Sequence, residues 1–130
     1  MDSTTVNFRY DTAQFSLQYP AAIDGMPVTN LRKLLKYMLS DRSGENMNAV
    51  RVTHRILADR VAEAKREWAD ASAEYVLGYI NTQFDWCRDK RKTEANNRKL
   101  TAAVKRTKTA HERAQKLLTF FEENKTKYCD

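Results

Sequence analysis

The chain has 130 residues, 42% apolar and 31% charged, with a net charge of +6; this suits one domain with a modest core rather than a disordered chain. Three glycines and two prolines are too few for the turns of an all-β sandwich. No segment reaches the roughly 20 apolar residues of a membrane span, and the opening Met-Asp-Ser-Thr-Thr has neither a basic nor an apolar leader region, so a cytoplasmic protein (host cytoplasm if viral) with no membrane partner is expected.

Residues 1–27 differ from the rest. Val6, Phe8 and Tyr10 alternate with polar residues, Asp11-Thr12 intervenes, and Phe15, Leu17 and Tyr19 alternate again. Period-2 spacing of β-branched and aromatic residues around a short polar turn predicts a β-hairpin, ended by Pro20 and followed by a turn at Asp24-Gly25. Two strands alone are marginal, so the hairpin needs helices or a partner's sheet to lie on. The run Phe15-Ser-Leu-Gln-Tyr-Pro-Ala-Ala-Ile-Asp-Gly-Met-Pro-Val-Thr-Asn-Leu31 resembles the strand–Pro–Asp-Gly–strand opening of some phage tail-assembly chaperones, over 17 of the 130 residues and not beyond.

A short helix is expected over 28–41, with Thr29 as N-cap and Leu31, Leu34, Leu35 and Met38 at helical spacing. Asp41-Arg-Ser-Gly44 breaks it. A long helix over 44–88 follows, in which Met47, Val50, His54, Leu57, Val61, Ala64, Trp68, Ala71 and Tyr75 form a heptad-like seam that wants a partner helix. In residues 88–99 Ala95 is the only apolar residue. Leu100, Val104, Thr107, His111, Ala114, Leu118 and Phe121 then resume the alternation in a second long helix over 97–126.

Two arrangements fit: one continuous helix of about 80 residues, roughly 120 Å long, or a turn near 89–96 that folds the second stripe onto the first. The fold-back is preferred because it buries both stripes. The expected fold is therefore mainly α in a single domain, 1–130: a long antiparallel, coiled-coil-like helical hairpin with a short N-terminal helix and a small N-terminal β-hairpin. A homodimer forming a four-helix bundle would cover the remaining aromatic residues.

Candidate chemistry is sparse. His54 and His111 occupy seam positions, and a fold-back near 93 sets His111 opposite Tyr75 or its neighbours, with His54 far beyond; no Glu-x-x-His or His-Glu-x-x-His occurs, so neither a metal nor another cofactor is expected. Cys87 and Cys129 are too far apart in this fold for a disulfide; Cys87 has no histidine near it, and His54 could approach Cys129 but without a third, orienting group, so both are expected to be inert thiols. Asp59, Glu63, Glu67, Asp70 and Glu74 read as a solvated helix face rather than a catalytic pair. No enzyme is expected.

The basic tract is the informative feature. Residues 88–130 hold thirteen basic and six acidic side chains, whereas residues 44–87 hold five and seven. Lys92, Lys99, Arg106 and Arg113 form one row at seven-residue spacing, and Arg91, Arg98 and Lys105 a second beside it, with Arg88 at the head. Each row sets a cation about every 10 Å along a helix, a spacing suited to phosphates, whose neutralisation gives sequence-independent affinity through counterion release. Aromatic residues that could stack on bases are missing from 87–119. The expected partner is nucleic acid, contacted through its backbone by Arg88, Arg91, Lys92, Arg98, Lys99, Lys105, Arg106 and Arg113 without base specificity. The alternative is a protein-interaction module, an assembly chaperone, scaffold or inhibitor, for instance phage-encoded, that binds an acidic protein: the hairpin strand edge or an exposed aromatic stripe would engage the partner and the basic rows its acidic surface.

Overall fold

The structure, a computed structural model, describes residues 3–41, 43–84 and 90–128, with side chains at 79–84, 90–93 and 128 excepted. The elements run β1 (Thr4–Tyr10), β2 (Ala13–Tyr19), α1 (Ala21–Gly25), α2 (Val28–Ser40), α3 (Gly44–Phe84) and α4 (Lys90–Tyr128). The mainly α fold with an N-terminal β-hairpin and a helical hairpin of α3 and α4 is as expected. The chain divides into two compact units, one of Met1–Val61 with Arg113–Asp130 and one of Ala62–Glu112.

In the first unit the strands pair antiparallel, with Val6 opposite Leu17 and Tyr10 opposite Ala13. The alternation works as period-2 spacing requires: Val6, Phe8, Leu17 and Tyr19 are buried while their neighbours face outward. Asp11 closes the two-residue turn at φ 58°, a left-handed conformation that Asp tolerates better than most side chains. The residues after Pro20 form α1 rather than the plain turn expected at Asp24-Gly25. The next helix begins at Val28, behind Pro27, so Thr29 is inside it and is not its cap. Leu31, Leu35, Met38 and Leu39 form its buried stripe.

Here α3 is buried on two sides, by the hairpin and α2 and by α4, and its core positions are therefore wider than the seam expected. Asn46, Ala49, Val50, Thr53 and Leu57 are buried, whereas Met47 is exposed. The buried polar pair is satisfied. Asn46 Oδ1 accepts from the Arg9 N–H at 2.7 Å, and its Nδ2 donates to Arg9 O at 2.6 Å and Met38 O at 3.1 Å. Thr53 shares a 3.0 Å hydrogen bond with the Tyr19 hydroxyl, whose pKa burial pushes up to about 12. From α4, Ala114, Leu117 and Phe121 complete this core, and His54 stacks on Phe121 and lies 3.8 Å from Glu122.

The second unit is a pair of helix segments with a thin seam. Ala64 and Ala71 are buried on α3, and Trp68, Leu100, Val104, Thr107 and His111 are half-buried. His111 stacks on Trp68, their centroids 5.6 Å apart, rather than lying opposite Tyr75. The pairing is thus displaced by one heptad from the fold-back expected near 93, a shift that keeps seam facing seam. The cause is the reach of α4: residues 90–96 are helical, and the expected turn and helix limits (44–88 and 97–126) give way to Gly44–Phe84 and Lys90–Tyr128. Residues 85–89, which include Cys87 and Arg88, and Cys129 lie outside the described residues.

Candidate nucleic-acid interface

The candidate surface is the outer side of α4. A helix of this length with a single apolar stripe must leave most of its circumference to water, and the basic residues occupy that remainder. Arg98, Lys99, Lys105 and Arg106 are all exposed. Among the described residues none of the four forms an ion pair. Arg98 Nε donates to Glu94 O one turn back, at 3.5 Å. Lys108 and Lys116 are exposed as well. Arg91 and Lys92 belong to α4 by their backbone, but their side chains, like all of Arg88, lie outside the described residues.

Arg113 departs from its row. It is half-buried, and its guanidinium is committed to the first unit: Nε donates to Ile23 O at 2.6 Å and the terminal nitrogen donates to Met26 O. These carbonyls close the C-terminal end of α1, where backbone acceptors lack helical partners. On α3, Arg60 Nε reaches Asp24 Oδ1 of the same short helix at 3.0 Å. Two arginines therefore hold α1, and Arg113 is a structural clamp. Seven-residue spacing groups it with Lys99 and Arg106 because spacing shows only which side of a helix a residue takes, not that α1 packs there.

A second surface is the strand edge of the hairpin. Asn46 takes both backbone groups of Arg9, so Arg9 turns its N–H and C=O away from β2. By antiparallel alternation Thr5 and Asn7 turn theirs the same way, along the outer edge of a two-stranded sheet. A cavity of about 320 Å³ lies along this edge, lined by Thr4–Asn7 and by Glu45, Asn48, Ala49 and Val52 of α3.

Among the described residues, no three metal-ligating side chains come together, and no helix is long and apolar enough to cross a membrane. No protein-family model, curated protein or solved structure matches the chain.

Proposed function

We propose that the protein is a non-enzymatic, cytoplasmic nucleic-acid-binding protein that grips the phosphate backbone through the outer side of α4, without base specificity. One observation carries this reading: Arg98, Lys99, Lys105 and Arg106 are exposed together on one helix and, among the described residues, none has an ion-pair partner. Unpaired cations at regular intervals supply affinity to a polyanion and carry no sequence information.

The test is fluorescence anisotropy with a labelled 30-base-pair duplex across a salt series. Four phosphate contacts correspond to a slope of about −3.6 in log K against log salt. Changing Arg98, Lys99, Lys105 and Arg106 to glutamine should remove most of that slope while helicity stays as it was. Unchanged affinity would refute the reading.

The open edge of β1 supports a second one, a protein-interaction module such as a phage-encoded assembly chaperone, scaffold or inhibitor. Outward-facing backbone groups at Thr5 and Asn7, beside a cavity lined by Val6, Ala49 and Val52, suit an extended segment of an acidic protein added as a third strand. Co-purification with and without nuclease separates the two, since only a protein partner survives digestion. Under either reading Tyr75, Val76 and Leu77, all exposed, favour a homodimer, and sedimentation at rising concentration would reveal it.

A further inference from the structure

The first unit carries a second group of cations, on α2. This helix holds Arg32, Lys33 and Lys36 and no carboxylate. Two of the three converge on one aromatic ring of α4. The Arg32 guanidinium carbon is 5.3 Å from the centre of Phe120, and the Lys36 ammonium is 5.9 Å from it. Arg32 and Lys36 are one helical turn apart, a spacing at which like charges repel. The π face of Phe120 attracts each cation and neutralises neither.

No carboxylate among the described residues comes within ion-pair distance of Arg32 or Lys36. The Arg32 Nε is buried and has no hydrogen-bond acceptor, which is uncommon for a buried donor. The ring beneath is well seated: Leu117 and Phe121 beside it are buried, and Asn124 Nδ2 donates to Phe120 O at 2.8 Å. Lys116, one turn before Phe120 on α4, is exposed and adds a further positive charge nearby. The result is a pair of cations on one ring, one a planar fork and one a point charge, that lacks a carboxylate partner among the described residues. A tetrahedral phosphate oxyanion, with several acceptor oxygens, suits both cations at once.

We propose that Arg32 and Lys36, seated on Phe120, bind a phosphate group. It can come from a nucleic-acid backbone or from a free phosphate, and the site does not depend on the α4 surface described above.

The experiment follows the Arg32 Nε–Hε resonance in ¹⁵N-edited NMR, assigned by its loss in Arg32→Lys. Inorganic phosphate is titrated in at constant ionic strength, with chloride as the matched control. A saturable shift is expected with phosphate and not with chloride, and in Lys36→Gln the affinity should fall about tenfold or more, as loss of a charge-assisted bond implies. A resonance that responds to phosphate and chloride alike, or to neither, overturns the proposal. A second arm uses the 30-base-pair duplex with the protein in which Arg98, Lys99, Lys105 and Arg106 are glutamine. Where inorganic phosphate moves the Arg32 signal, movement with the duplex as well assigns the phosphodiester backbone as the source, and movement with inorganic phosphate alone assigns a free phosphate. Because the first arm contains no nucleic acid, failure of this site and failure of the α4 reading are separable.

Discussion

Asn46 shows how much one side chain can decide. It is fully buried and joins the backbone of Arg9 on β1 to the end of α2 at Met38, through three hydrogen bonds. Asn46→Leu would leave the Met38 carbonyl unpaired in the interior and the part-buried Arg9 groups without their partner, and a loss of about 2–3 kcal/mol is expected by urea denaturation, since orphaned buried groups cost their full desolvation. Tyr19 gives a pH signature. Burial holds its hydroxyl protonated up to about 12, against 10 in the unfolded chain. Below pH 10 both states keep the proton and stability does not change on this account. Above it the unfolded chain loses the proton first, so stability should fall by about 2–3 kcal/mol between pH 10 and 12. In Tyr19→Phe that fall should vanish, leaving a pH-independent cost of about 1 kcal/mol for the lost bond to Thr53.

Within the helices, equal spacing hides unequal roles. Arg113 shares a row with Lys99 and Arg106, yet it holds α1 while they face water. Arg113→Gln should lower stability by about 2 kcal/mol, the scale of hydrogen bonds from a charged donor. Lys99→Gln and Arg106→Gln should leave the denaturation midpoint in place and weaken duplex binding. A triple change that includes Arg113 would confound the two effects. The seam of the second unit depends on small residues. Ala64 is fully buried, and a Cβ on Gly78 would come within 2.5 Å of Leu100 Cδ1. Ala64→Leu should therefore cost about 1–3 kcal/mol through overpacking, measured as a lower midpoint. Helix existence and the apolar stripes were readable from spacing, because period 3.6 is a local property of the chain. The register of α3 on α4 was not, because sliding by one heptad presents an equivalent seam and only the start of α4 at Lys90 selects between them.

At the scale of the molecule the two units differ in what they bury. The unit of Met1–Val61 and Arg113–Asp130 encloses nearly all the buried core, including Phe8, Tyr19, Leu31, Leu35, Leu57 and Phe121. Among the described residues of Ala62–Glu112, only Ala64 and Ala71 are buried hydrophobics. Local opening is easiest where buried apolar contacts are few, so amides of α3 within 62–78 should exchange with deuterium faster than those within 49–61. Equal rates would show that another surface covers the second unit. By itself the sequence determined the helical class, the β-hairpin, the break at 41–44 and the gathering of cations on one segment, because strand alternation, helical periodicity and charge are all written in neighbouring residues. Only the tertiary structure decided that α1 exists, that Arg113 clamps it, that Asn46 and Thr53 belong to the core, and that Arg32 and Lys36 meet over Phe120. Those outcomes depend on residues distant in the chain meeting in space, where burial and pairing are set by what lies opposite.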